Sequence, residues 1–462
     1  MTALMLAWQA AIWLGMSCVF LRSPRASLFH PFAYYLFFHG LVFVLWPILE
    51  HAFGFETVFY LMRFYPTEEQ KQTALLLSTV GLFTFATASW MCDRSTPHFD
   101  RPIPNGFRPA EWQGFVILVA LLGPIAFYSA ASYIAAILPN ASDTDLIGMT
   151  RDVSTGIATF TNTTGYIVDA QLMLGTFCLM LVWGTRFRGW SFIPLLIYLA
   201  DRTYVGWGRW SIILILAMIG LLALFRQRRR WAPSYFIVFA LPALLIFQQL
   251  GEDRGTFQTL ILGEQKVADV LSSDRTLRER LDSPDFANLD FLTFVIDVVP
   301  GKSDTYTYFS QYLQVFTEPI PRILWPGKPI GPPVELVHLN DYGNFAGWTV
   351  SLVGDGWMSG GWLGVIVTMS IVGSITAGMH RWFWRGEASN FKILTYCTFV
   401  PLTVQWFRDG GISIAKFMLF TIGPLLLWRY IVRSLPSRTR IGRVTPRVPA
   451  SAGHAAGPRD PV

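Results

Sequence analysis

The residues best suited to chemistry are a few cations and carboxylates that stand where apolar runs meet polar ones. Arg209 opens an apolar stretch in GWGRWSIILILAMIG, with Arg202 just before it. Arg254 follows another in QQLGEDRGTF, and Arg408 ends one in QWFRDGGIS. Arg322 and Lys328 lie in the proline-stiffened PRILWPGKP. An arginine near hydrocarbon costs about 2.5–3.5 kcal/mol at mid-bilayer and less toward the ends. Each taken singly is explained as a snorkelling anchor or a structural ion pair. Several on one face point instead to an anionic ligand, because guanidinium groups stay charged and grip phosphate oxygens in pairs. A lipid-linked diphosphate suits that depth, with its tail in lipid and its charge at the headgroup level.

Carboxylates on the same face are the acid/base candidates: Glu252, Asp253, Asp297, Asp355 and Asp409, with His338 as an alternative. A hydroxyl nucleophile needs such a base within hydrogen-bond reach. Asp355 stands out in SLVGDGWMSGGWLGVI, where glycines permit close backbone approach. The alternative is an N-cap Asp favoured by the helix dipole. Asp253 and Asp409 serve equally well to orient Arg254 and Arg408. Tyr306, Tyr308 and Tyr312 form an aromatic surface. Such rings stack on sugar faces, and they also anchor proteins at the headgroup level. Asp143-Thr144-Asp145 has the form of a metal-binding DxD, but three loop residues are uninformative and no metal is expected. The chain has no GxGxxG, P-loop or HExxH pattern. No cofactor is expected, and ATP is not expected to drive it.

The elements that must position these residues are membrane helices. Charged residues make up 14% of the 462 and hydrophobic ones 52%, against about 25% charged in a soluble domain. That excludes a disordered chain, a disulfide scaffold and an ordinary soluble enzyme. The net charge of +6 is explained by cytoplasmic Lys and Arg, ahead of nucleic-acid binding. Runs of about 20 apolar residues occur near 3–21, 32–49, 72–91, 113–138, 164–183, 190–201, 210–225, 232–250, 357–379, 391–407 and 412–432. The expected fold is therefore all-α and polytopic, with about eleven transmembrane helices in one domain spanning residues 1–433. Loops rich in Arg, such as the run Arg226, Arg228, Arg229, Arg230, place the N-terminus outside and the C-terminus inside. Residues 434–462 are a Pro-, Arg- and Ala-rich tail, expected to be disordered and drawn to anionic lipid. One long outer loop, about 251–347, is expected to be folded. It holds fourteen acids and eight bases, so its cations are not a general basic patch. Within it FLTFVIDVV is expected to lie flat in the membrane interface.

Together GWGRWSIILIL, the long outer loop, PRILWPGKP, VGDGWMSGGWLG and FRDGG resemble a Wzy-type O-antigen polymerase, an oligosaccharide repeat-unit polymerase. The resemblance covers roughly residues 190–430. It implies a bacterial inner-membrane enzyme with a fold similar to the C-type glycosyltransferases and one long periplasmic loop. Its substrate would be an undecaprenyl-diphosphate-linked oligosaccharide. The growing glycan passes to the next lipid-linked unit, and the diphosphate lipid leaves. No nucleotide sugar is needed. Arg209, Arg254 and Arg408 would stabilise the leaving diphosphate, and Arg322 and Lys328 match the family's basic pair. Asp355 matches its acid before a Gly-rich helix start, although Gly356-Trp357-Met358 departs from the usual pattern. A flippase and a chain-length-regulating membrane protein are the implied partners, and nucleic acid is not. An O-antigen ligase and a lipid-oligosaccharide flippase are the competing readings.

Overall fold

The computed structural model describes residues 2–137, 149–151, 158–160, 169–205, 209–234, 282, 286–317, 325, 337–343 and 349–436. These residues are helical apart from turns and one antiparallel two-stranded ribbon, β1 (Met149–Arg151) with β2 (Ala158–Phe160). In chain order the main helices are α1 (Thr2–Arg22), α2 (Pro31–His39), α3 (Trp46–Phe53), α4 (Thr57–Met62), α5 (Glu68–Cys92) and α6 (Pro109–Ile137). They continue with α7 (Leu172–Gly184), α8 (Ile193–Val205), α9 (Arg209–Arg226) and α10 (Asn288–Val298). The last three are α11 (Ser351–Trp384), α12 (Asn390–Asp409) and α13 (Gly411–Ser434). A π-helical turn, Gly40–Leu45, joins α2 to α3.

Among the described residues six helices are long and apolar enough to cross a membrane: Ala3–Arg22, Pro31–Phe53, Glu68–Cys92, Pro109–Ser132, Ser351–Trp384 and Ile414–Ser434. They mark a membrane protein. The sequence reading expects about eleven over the whole chain, part of which lies outside the described residues. The 164–183 and 190–201 stretches yield α7 and α8, each 13 residues, or about 20 Å against a hydrocarbon core of about 30 Å. The stretch at 391–407 becomes α12, whose Thr395, Thr398, Thr403 and Gln405 are buried among neighbouring helices. Most of 232–250 and the tail from 437 lie outside the described residues.

Local chemistry sets several boundaries. Thr67 caps α5 by accepting from the Gln70 amide, while the Gln70 side chain accepts from the Thr67 amide. This reciprocal box, with Glu68 and Glu69 in the first turn, fixes where the span begins. The FLTFVIDVV segment does not lie on the interface. It forms α10, whose Leu289, Phe291, Leu292, Phe294, Val295 and Val298 are buried in a core shared with α1, α2, α5 and α11. Six apolar side chains at about 1.5–3 kcal/mol each give a driving force on the order of 10 kcal/mol as an upper estimate. Inserting into the bundle wins because lying flat would bury only one face. A second core joins α7, α9, α12 and α13.

α11 is two helices folded back on each other. Its chain breaks at Gly360 and at Gly361, whose φ of 59° and ψ of −139° suit glycine. The short arm, 351–359, then packs against the start of the long arm. A Cβ on Gly356 would sit 2.8 Å from Val365 Cα, and one on Gly364 would overlap the Gly356 carbonyl oxygen. The cluster of glycines around Asp355 is thus a hairpin device. Gly364→Ala is expected to destabilise by about 1–3 kcal/mol through overpacking, read as a lower thermal midpoint of the purified protein. Gly378→Ala, where a Cβ meets nothing within 4 Å, is the control.

At the far end of the bundle a buried trio ties α2, α5 and α11 together. The Phe32 amide donates to His30 Nδ1 at 3.1 Å, and Trp384 Nε1 donates to His380 Nε2 at 2.9 Å. Those donors fix both tautomers, so His30 Nε2–H and His380 Nδ1–H face Asp93. His380 Nδ1 donates to Asp93 Oδ2, and the Ser95 amide donates to Oδ1 at 2.8 Å. The facing ligand atoms lie within 4.8 Å of one another. His380 is thus clasped to Asp93, whereas His30 Nε2 is buried with no hydrogen-bond partner among the described residues. Burial opposes the Asp93 charge, but the His380 and Ser95 hydrogen bonds outweigh it and hold the carboxyl down at about 2. A depressed carboxyl contributes stability above its unfolded value and loses it as pH falls through the folded one. About 2 kcal/mol is therefore expected to disappear between about pH 4 and pH 2. Thermal midpoints over that range should fall less steeply in Asp93→Asn, which never had that contribution.

Candidate functional site

Asp355 lies inside the short arm of α11, not at a helix start, and is 1% exposed. Three donors hold its carboxylate. Gln311 Nε2 donates to Oδ1 at 3.0 Å, Tyr312 Oη donates to Oδ2 at 2.5 Å, and the Gly411 amide donates to Oδ2 at 3.0 Å. Gln311 also donates to Ser359 Oγ at 2.6 Å, and Ser359 Oγ donates to the Asp355 carbonyl at 2.8 Å. Burial and the adjoining Asp355 charge push the Tyr312 hydroxyl well above its ordinary range, so it remains a donor. Asp355 thereby joins three distant parts of the chain: the short 3-10 turn Ser310–Leu313, the α11 hairpin and the α12–α13 turn. The N-cap alternative does not hold.

That turn brings Arg408 to the same place. Gly410 carries a φ of 83°, and a Cβ there would lie 3.3 Å from Asp355 Cβ. Two residues before it, Arg408 stacks over the Trp210 ring at 4.6 Å. Its Nη1 stands 3.4 Å from Asp409 Oδ1, and Gln405 Nε2 donates to Asp409 Oδ2. Asp409 therefore flanks and orients Arg408, as one sequence reading expects. Arg408 Nε is buried and has no hydrogen-bond partner among the described residues. Asn288, at the start of α10, donates from Nδ2 to the Arg408 carbonyl at 3.3 Å and to Thr349 Oγ1 at 2.7 Å.

Arg408 and Asn288 close one side of a cavity of about 190 Å³. The rest of the wall includes Phe37, Phe38, Leu41, Trp210, Phe286 and Val404. Its inner wall comes partly from the π-helical turn, which shifts the register of the α2 faces. Among the described residues charge enters the lining only through Arg408. A cavity of about 150 Å³ admits benzene, so this one takes a short hydrocarbon segment and not a sugar repeat unit.

The other sequence candidates divide. Arg209 is the first residue of α9, next to Trp210; its side chain is outside the described residues, as are Arg254, Arg322 and Lys328. Arg202 is buried, and its Nε donates to Ser211 Oγ at 3.1 Å while Nη1 donates to Gln171. It is tied to the helix interior. Tyr306 packs over the hinge, its hydroxyl 3.1 Å from where a Gly361 Cβ would be. Tyr308 is exposed and meets Tyr306 edge to face at 6.1 Å. Sequence reasoning missed Gln311, Tyr312 as a carboxylate partner, Ser359 and Asn288. It also missed a buried group in which Lys71 donates to Glu50 at 2.9 Å beside Asp290. Burial, with Glu50 close by, pushes the Asp290 carboxyl well above the ordinary range. No single residue type signals such groups; only the packing of α10 against α3 and α5 assembles them.

No family model, curated protein or solved structure matches this chain.

Proposed function

We propose that this protein is a membrane glycosyltransferase that joins undecaprenyl-diphosphate-linked oligosaccharide repeat units into a polysaccharide at the outer face of a bacterial inner membrane. The observation that carries this reading is the apolar cavity ending on Arg408, one turn from the Asp355 cluster. An apolar chain in the cavity would set an anionic head against a guanidinium with a free buried donor. The chemistry this supports is displacement at an anomeric carbon. The acceptor hydroxyl oxygen forms the new C–O bond, the bond to diphosphate breaks, and the diphosphate lipid leaves with the electron pair. Arg408 stabilises the charge that develops on it. Arg209, at the head of α9, is its proposed companion; Arg254, Arg322 and Lys328 are proposed to bind the remaining phosphate and sugar groups.

The hydroxyl proton needs an acceptor. Asp355 is too enclosed to touch a sugar itself, so it acts through Tyr312. As Tyr312 passes its proton to Asp355, the Tyr312 oxygen takes the acceptor's. Tyr308 is the exposed ring available to a sugar face, whereas Tyr306 is committed to the hinge.

The test is gene disruption followed by analysis of surface glycan on a gel. A single repeat unit on the acceptor is the result expected. Accumulated lipid-linked polymer would make the protein a ligase, and repeat units trapped on the inner leaflet would make it a flippase; either overturns the reading.

A further inference from the structure

The end of the bundle opposite Asp355 carries cations that the proposed chemistry does not use. Arg101 comes from the α5–α6 connection, Lys392 from the first turn of α12 and Arg429 from near the end of α13. Arg101 and Arg429 lie close enough for their charges to act on the Lys392 ammonium, and Arg433 acts likewise on Arg429. Each sits over an aromatic face. Arg101 lies 4.6 Å from the Phe383 ring, Lys392 5.7 Å from Trp382 and Arg429 4.4 Å from Phe391. Trp382 and Phe391 themselves meet edge to face at 6.2 Å, so the rings under Lys392 and Arg429 form one layer.

These cations repel one another, and what they bond to does not cancel their charge. Arg101 Nη1 donates to the Phe383 carbonyl at 2.8 Å and Lys392 Nζ to the Arg385 carbonyl at 2.6 Å. Among the described residues none of Arg101, Lys392, Arg429 and Arg433 forms an ion pair. Glu111 is nearby through Asn390, but its carboxylate already accepts from the Arg108 amide at 2.7 Å and from Asn390 Nδ2 at 2.9 Å. A set of like charges held together on a rigid aromatic layer is completed by an anion.

The position says which anion. Leu426, Arg429 and Arg433 recur at three and four residues along α13, so they share one face. Leu426 is 55% exposed and Tyr430, beside Arg429, is 69% exposed. The cations thus continue an apolar stripe that faces outward from the bundle, where lipid lies in a membrane protein. We propose that this is a binding site for the phosphate-bearing headgroup of an anionic phospholipid, seated between Lys392 and Arg429 with Arg101 behind it and its acyl chains along α13.

The experiment is native mass spectrometry of the purified full-length protein titrated with phosphatidylglycerol, with phosphatidylcholine and inorganic phosphate as separate arms. Phosphatidylglycerol should bind in preference to both. A cation near an anionic headgroup contributes about 1 kcal/mol, roughly a fivefold change in affinity. K392Q/R429Q should therefore bind phosphatidylglycerol about 25-fold more weakly, and R63Q/K302Q, at exposed cations away from this site, should bind normally. K392R/R429K keeps both charges and should retain binding, which separates loss of charge from misfolding. Equal binding of the two lipids, an unchanged K392Q/R429Q, or an equal loss of binding in R63Q/K302Q overturns the site. Inorganic phosphate binding as tightly as the lipid overturns the lipid source.

Discussion

Arg408→Gln is expected to lower glycan polymerisation by about 10²–10³-fold, the loss typical of removing one preorganised donor to developing negative charge. The reason is the setting of this arginine. Among the described residues it is the only charged one lining the apolar cavity, it is stacked on Trp210 at 4.6 Å, and its Nε has no other partner. Arg408→Lys keeps the charge but loses the planar fork, so an intermediate loss is expected. Removing Arg408 also leaves the Asp409 carboxylate without its counter-charge in a largely buried place, which destabilises on its own. The double variant Arg408→Gln with Asp409→Asn separates the two effects. It should recover thermal stability and not transfer. Polymer length on a gel, with protein level in the membrane measured alongside, reads both. Wild-type polymer from Arg408→Gln would remove Arg408 from the site.

Asp355→Asn is the second change with a large expected effect. Its carboxylate accepts from Gln311, Tyr312 and Gly411, and an amide nitrogen turned toward any of these makes a donor–donor contact. A buried donor left without its acceptor costs about 1–3 kcal/mol, so Asp355→Asn should lower the thermal midpoint clearly, and Asp355→Ala further. Tyr312→Phe distinguishes structure from chemistry. It removes one of the three donors and should cost about 1 kcal/mol of stability. If Tyr312 relays the acceptor proton, turnover should also fall by about 10²–10⁴-fold with little change in KM. A Tyr312→Phe protein with normal turnover would leave Asp355 as an anchor for the α12–α13 turn and nothing more.

The membrane helices were legible because lipid demands long apolar runs, and few other constraints produce them. The same logic is less direct for α7 and α10. Their apolar residues face protein, so apolarity there reports burial in the bundle, whereas α8 leaves Ile193, Leu196 and Ile197 exposed. FLTFVIDVV is apolar enough to suggest an interface helix, yet its burial on nearly every side makes it a core element. Asp355 and Arg408 could be singled out because charges are scarce at helix ends. Their neighbourhood could not, since Gln311, Tyr312 and Asn288 are ordinary polar residues until the fold brings them within 3.3 Å of their partners. The glycines around Asp355 were visible as a need for close approach. That the approach is a hairpin at Gly361 depends on how the two arms of α11 pack.

By itself the sequence determined the solvent of this protein, the order of its helices and the few places where a charge must be explained. Those follow from one-dimensional quantities: run length, residue type and spacing. The tertiary structure decided what each charge does. It made Arg202 an internal tie, buried Asp355 behind Gln311, Tyr312 and Gly411, and set Arg408 at the edge of an apolar cavity. Such differences arise from desolvation and partner geometry, which depend on what packs around a residue and not on its neighbours in the chain.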